Sequence, residues 1–248
     1  MTVPELQRIF DGENKTFHDY KNKRFLIGIG ARILSAIGLE TAVQMITIID
    51  YGLGNIQAFV NVYRRLHIPV AVAQTAAQLD GATKLILPGV GAFDHAVERL
   101  DASGMRPTLE ELVLRHKVPV LGVCVGMQIL ANSSDEGALP GLGWVPGRVR
   151  SFKSIPDLAE LPLPHMGWND VSSSSGSALF KGFETDARFY FLHSFFFDCE
   201  DAGYSEATSS YGLEFSCAVR AQNVYGVQFH PEKSHHFGVG LLKNFAEL

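Results

Sequence analysis

From Met45 onward, apolar positions follow two alternating rhythms. Residues 45–50 form a short apolar run, which suits a buried parallel strand. Ile56, Phe59, Val60, Tyr63 and Leu66 then recur at helical spacing. Strands are predicted over residues 70–73, 84–87 and 118–123, and helices over 93–100 and 108–117, with a further helix beginning over 126–132. Strands that alternate with helices predict a doubly wound α/β sheet.

After Gly137 glycine and proline become dense up to Gly147, and shorter β-type runs follow. These cover residues 148–152, 168–171, 189–192, 195–197, 216–220 and 224–229, with a Ser/Gly turn at 172–177 and a closing helix at 238–247. Some of these strands are expected to be antiparallel. The prediction is an α/β fold: one domain over residues 45–248, its central mixed, mostly parallel sheet flanked by helices.

Residues 1–44 read differently. Residues 2–23 are polar and weakly patterned, and the apolar stretch at 25–39 is interrupted by Arg32. A membrane span needs roughly 18 or more apolar residues, and a signal peptide places its apolar core nearer the start. We read Met45 as the natural start and residues 1–44 as an upstream extension; a leader or docking arm is the competing reading.

Composition narrows the function classes. Of 248 residues, 46% are hydrophobic and 19% charged, which is enough apolar mass for a sizeable core. The net charge is −5, and no run of Lys and Arg supplies the basic footprint of a nucleic-acid binder. Three cysteines, Cys124, Cys199 and Cys217, include no Cys-x-x-Cys pair. No disulfide framework is expected, and a reducing cytoplasm is the better setting.

The strongest local signal is Leu121-Gly122-Val123-Cys124-Val125-Gly126-Met127-Gln128. An apolar strand runs into a cysteine and a helix starts directly after it, the nucleophile-elbow arrangement in its cysteine form. Gly122 and Gly126 flank the turn where a Cβ would crowd it. The amides opening the helix favour the thiolate, and the Val125 amide is placed to bind an oxyanion. A plain buried cysteine beside a glycine-rich strand end is the alternative. Cys199, among acidic residues, and Cys217, within a strand, read as structural.

The second signal is Val224-Tyr225-Gly226-Val227-Gln228-Phe229-His230-Pro231-Glu232-Lys233-Ser234. Side chains at i and i+2 of an extended segment face the same way, and Pro231 keeps His230 out of helical geometry. His230 and Glu232 are therefore expected to project together, giving a nucleophile Cys124, a general base His230 and an orienting carboxylate Glu232. His235 and His236 lie close by, but no pair has zinc spacing, so no metal is expected.

Two glycine loops follow strands. The turn Leu87-Pro88-Gly89-Val90-Gly91-Ala92-Phe93 can offer backbone amides, at Val90 and Gly91, to an oxyanion. Asp50-Tyr51-Gly52-Leu53-Gly54-Asn55 opens like a dinucleotide fingerprint, but Gln57 replaces the third glycine, so NAD is rejected and no cofactor is expected. Either loop alone could be an ordinary strand–helix turn.

Together these pieces resemble the class I (triad-type) glutamine amidotransferases over nearly all of residues 45–248. Within that family the motifs are most similar to the glutaminase subunits of imidazole glycerol phosphate synthases. The discriminating pieces are the two glycine loops, Pro164-His165-Met166-Gly167-Trp168-Asn169, Tyr190-Phe191-Leu192-His193-Ser194, and the His230 segment. The resemblance implies a flavodoxin-like fold in which Cys124 attacks the glutamine side-chain amide and forms a thioester that water hydrolyses. It implies that Gly91, Gln128, His193 and Ser194 hold the substrate. It places Asn55, Trp168, Tyr190 and Lys233 at the interface with a (β/α)8-barrel cyclase subunit, to which ammonia is channelled to make imidazole glycerol phosphate and AICAR. Val125 stands where leucine is common, and Phe195 where tyrosine is common, so a hydroxyl contact is lost there.

Three other readings stay open from sequence: a paralogous glutaminase that feeds a sugar amidotransferase, a non-catalytic scaffold domain, and a stand-alone γ-glutamyl peptidase or cysteine hydrolase. The intact Cys124, His230 and Glu232 argue against the scaffold.

Overall fold

The protein is described by a computed structural model over residues 45–248 except Glu184; the extension assigned to residues 1–44 lies outside the described residues. The first half runs β1 (Ile46–Ile49), α1 (Ile56–Arg65), β2 (Val70–Ala73), β3 (Lys84–Gly89), α2 (Phe93–Ala102), α3 (Arg106–Glu110), β4 (Val120–Cys124) and α4 (Val125–Gln128). The second half adds β5 (Ser133–Ser134), β6 (Gly147–Ser151), β7 (His165–Asp170), β8 (Ser172–Ser173), β9 (Arg188–His193), β10 (Phe195–Cys199), β11 (Ser205–Tyr211), β12 (Leu213–Ala221), β13 (Val224–Val227) and α5 (His235–Glu247).

The main sheet has the order β2-β1-β3-β4-β13-β12-β10-β6-β5, with β11 beside β12 and β8 beside β11. The block from β2 to β13 is parallel throughout. From β13 onward the pairing is antiparallel through β12, β10 and β6. β7 and β9 make a separate antiparallel ribbon. Strands β1, β3, β4 and β13 are buried along their whole length, as their largely apolar sequences suit, with only Thr47 and Lys84 as buried polar exceptions. Helix α1 buries Phe59, Val60, Val62 and Tyr63, and α5 buries Leu241, Leu242 and Phe245.

Three local expectations need correction. The helix beginning at 126–132 stops after one regular turn, because the amides of Leu142, Gly143 and Trp144 capture the carbonyls of Ile129, Ala131 and Leu130. The single helix over 108–117 divides into α3 and a wider π turn, Glu111–Arg115. Strand β11, Ser-Glu-Ala-Thr-Ser-Ser-Tyr, was not expected: its polar sequence carries no strand signal and it is held by pairing to β12 and β8.

The topology positions one edge. Gly89 of β3 lies in register with Cys124 of β4, and Val227 of β13 with Val123. Three parallel strands therefore deliver Gly89, Cys124 and Gln228 to the same end of the sheet. In open α/β sheets this is the carboxyl edge where ligands bind.

Candidate active site

Cys124 closes β4 with φ +55° and ψ −115°, a conformation that few non-glycine residues adopt. Such backbone persists only where its surroundings over-determine it, and it raises the side chain off the strand end. The glycines make this possible. A Cβ on Gly122 would stand 2.6 Å from the Gly126 carbonyl oxygen, and a Cβ on Gly126 would fall onto the Leu87 carbonyl. With α4 reduced to one regular turn, the field of a full helix expected at the sulfur shrinks to the few amides that open that turn.

His230 and Glu232 meet, but not as two residues of an extended strand. β13 ends at Val227, His230 is extended (φ −102°, ψ 93°), and Pro231–Lys233 is a single 3-10 turn. Pro231 starts that turn with its fixed φ, and the turn folds the Glu232 carboxylate back onto the imidazole. His230 Nδ1 lies 2.9 Å from Glu232 Oε1 with both side chains almost wholly buried. The other ring nitrogen is left for the cleft, which His230 and Cys124 both line. Burial alone would lower the His230 pKa. The hydrogen bonds and charges of Cys124 and Glu232 outweigh it and push the imidazole up to about 9. By contrast, burial pushes the Cys199 and Cys217 thiols up. Both are poor thiolates, as a structural role requires.

A cavity of about 270 Å³ opens at the sulfur. It is lined by Cys124, Val125, Val90, Gly91, Gln128, His193, Ser194, His230 and Lys233, and also by Glu136, Pro164, Leu192 and Phe195. The structure thus brings together the predicted nucleophile, base, oxyanion-loop and substrate residues; Glu232 stands behind His230. Gly91 has φ +93° and open space where a Cβ would be.

Residues 47–247 match the family model for glutamine amidotransferase class I. The chain belongs to the class I glutamine amidotransferase family. The amidotransferase is 72% identical over 204 residues to imidazole glycerol phosphate synthase subunit HisH of Bdellovibrio bacteriovorus, covering 82% of this chain and 100% of that one. It is 50% identical to the protein of the same name from Leptospira borgpetersenii, again over 82% of this chain and 100% of the relative. Solved structures share the fold. A structure described as a glutamine amidotransferase superposes with a TM-score of 0.63 at 17% identity, covering 82% of this chain and 99% of that one. A glutamine amidotransferase from Thermotoga maritima gives 0.53 at 18% identity, covering 77% and 76%.

Asn55, Trp168 and Tyr190 do not line the amidotransferase's cleft, although Lys233 does. Asn55 caps α1, its Oδ1 accepting from the Ala58 amide at 3.3 Å. Trp168, 39% exposed, stacks on His235 at 5.2 Å and meets the Tyr190 ring edge-on at 6.4 Å. Lys233 Nζ sits 5.9 Å from the centre of that tyrosine ring. The backbone of Tyr190 also ties the ribbon to the base: its carbonyl accepts from His230 N at 2.8 Å and its amide donates to Ser234 Oγ at 3.0 Å.

Sequence reasoning missed two residues of the cleft region. Gln228 is fully buried, accepts from Gln128 Nε2 at 3.0 Å and points its own amide toward Cys124 Sγ at 3.8 Å. Its position directly after an apolar strand, opposite the cysteine, was the available signal. Glu136 accepts from the Phe93 amide at 2.9 Å and so holds the start of α2 beside the glycine loop. A glutamate in a Gly/Pro-rich stretch offers no such signal. No helix among the described residues is long and apolar enough to cross a membrane.

Proposed function

We propose that this chain is the glutaminase subunit of an imidazole glycerol phosphate synthase, working in the cytoplasm with a (β/α)8-barrel cyclase subunit. The observation that carries the reading is the 72% identity to a relative bearing that name, over that relative's whole length.

In this reading the Cys124 thiolate adds to the side-chain carbonyl carbon of glutamine. The oxyanion is held by backbone amides at Val125 and at the Val90–Gly91 loop. The His230 imidazolium gives its proton to the departing nitrogen, and ammonia leaves a glutamyl thioester. His230 then takes a proton from water, the hydroxide adds to the thioester, and glutamate departs with the sulfur restored. Glu232 keeps the imidazole in the tautomer that faces the sulfur and stabilises its charged form. Gln128 and the turn at His193 and Ser194 hold the amino-acid end of glutamine. Asn55, Trp168, Tyr190 and Lys233 face the cyclase, which consumes the ammonia to make imidazole glycerol phosphate and AICAR. The exposed Met166 and Trp168 on β7, with exposed Leu192 and half-buried Tyr190 opposite them on β9, support an interface on this ribbon.

The test is glutamate release by the full chain, alone and with the cyclase partner and its nucleotide. Activation by the loaded partner and formation of imidazole glycerol phosphate are expected. Full activity of the isolated chain would identify a stand-alone hydrolase, and co-purification with a sugar-modifying enzyme would identify the paralogue.

A further inference from the structure

Behind His193, which lines the cleft, runs a chain of polar side chains, His165 and Asn169, to which the reaction gives no part. His193 Nδ1 lies 2.7 Å from the Phe195 carbonyl. A carbonyl only accepts, so that nitrogen carries the proton and Nε2 bears the lone pair. His165 Nδ1, 2.9 Å from that lone pair, must donate to it. His165 Nε2 is then an acceptor, and Asn169 Nδ2 donates to it at 3.2 Å. The second hydrogen of that amide goes to the Ser210 carbonyl at 2.8 Å, and Asn169 Oδ1 accepts from the Asp170 amide at 2.8 Å. Every donor and acceptor in the row has one consistent direction, and both rings are neutral. Burial lowers His165 to about 4 and, with the nearby His165 and His230, lowers His193 to about 3. The His165 ring is sandwiched between Phe191 at 4.8 Å and Tyr211 at 4.1 Å.

The row ends on the wall that faces the nucleophile. The Leu192 carbonyl is 4.0 Å from Cys124 Sγ, and the Phe195 carbonyl accepts from Gln128 Nε2 at 3.5 Å as well as from His193. A tilt of the His193 ring would therefore move the segment 192–195 that shapes one side of the cavity.

We propose that His165 and Asn169 are positioning residues: their hydrogen bonds lock the tautomer and tilt of His193 and thereby hold the 192–195 wall at the spacing that glutamine requires. The inference rests on the glutaminase reading. Neither residue touches the reacting atoms, so the effect falls on substrate binding rather than on the reactivity of the sulfur.

Two substitutions separate hydrogen bonding from packing. His165→Phe keeps the ring between Phe191 and Tyr211 but has no donor for His193. His165→Asn keeps a donor at the Nδ1 position but loses the ring. In the full chain with its co-purified cyclase partner, H165F is expected to raise the KM for glutamine about tenfold, with a smaller change in kcat. Its Cys124 should react with iodoacetamide at the wild-type rate. H165N should bring KM back toward wild type while melting at a lower temperature. A KM unchanged in H165F, or restored in the reverse order, overturns the proposal. If H165F does not fold, Asn169→Ala provides the same readout with His165 in place, and an unchanged KM there also overturns it. A wild-type chain that released no glutamate would instead sink the glutaminase reading itself.

Discussion

Glu232 accepts a hydrogen bond from His230 Nδ1 with one oxygen, Oε1, at 2.9 Å, while its second oxygen is buried without a hydrogen-bond partner among the described residues. An ionised carboxylate left half-satisfied away from water is costly, and the imidazolium beside it is what offsets that cost. The two residues therefore form an electrostatic unit, and in the proposed mechanism the chemistry of the cysteine depends on both.

Glu232→Gln preserves the hydrogen-bond geometry but removes the charge. Glutamate release is expected to fall roughly 10²-fold or more, with little change in glutamine KM. Cys124→Ala should lower it by several orders of magnitude, because members of such a unit are not additive. Steady-state glutamate assays of the purified complex check both; an unchanged rate in the cysteine variant would end the enzyme assignment.

The raised pKa of His230 predicts a pH-dependent stability. The folded protein holds this proton more tightly than the unfolded chain does, so the stabilisation is fully present below the ordinary value of 6.5 and is lost as pH rises through about 9. Melting temperature should decline across that window, and the decline should be shallower in Cys124→Ala, which lacks one of the two partners that raise the imidazole. Parallel thermal melts between pH 6 and pH 10, which span roughly these two values, provide the comparison.

His165 and His193 predict the opposite dependence. Both are held neutral by burial, with pKa lowered to about 4 and about 3, so their contribution is present above 6.5 and is lost as pH falls toward those values. Acid unfolding should begin at a lower pH in His165→Phe than in wild type once each curve is scaled to its own stability at neutral pH. A shift in the other direction would show that the pair is not neutral in the folded state.

Gly126→Ala places a methyl group on the Leu87 carbonyl, where only backbone stands and no flexible side chain can yield. The expected cost is about 3 kcal/mol or more, read as a lower denaturation midpoint, together with loss of activity as the elbow is pushed open. Gly91→Ala meets nothing within 4 Å and should cost only the strain of its φ of +93°, about 1–2 kcal/mol.

A chain beginning at Met45 is expected to fold and to hydrolyse glutamine as the full chain does. Every residue named in the cleft lies within residues 45–248, and the family match spans 47–247. Matching melting temperatures and glutamate-release rates for the two chains would support residues 1–44 as an added segment; a loss of either on truncation would give those residues a working part.

Much of this protein was legible in its primary sequence because the signals are local. The largely apolar runs of β1, β3 and β4 announce buried parallel strands. Gly122 and Gly126 bracket Cys124 because a turn that tight excludes a Cβ, and Pro231 marks where strand gives way to a turn. What the chain order could not reveal depends on partners distant along it. Helix α4 ends early because carbonyls near its end are captured by residues 142–144. Strand β11 exists because β12 and β8 satisfy its backbone. Gln228 reaches the sulfur because β13 lies beside β4, and the protons of His165 and His193 are placed only when the Phe195 carbonyl and the Asn169 amide close on them. Periodicity and steric limits act over a few residues and can be read one window at a time. Hydrogen-bond direction and burial belong to the folded whole, and only tertiary structure decides them.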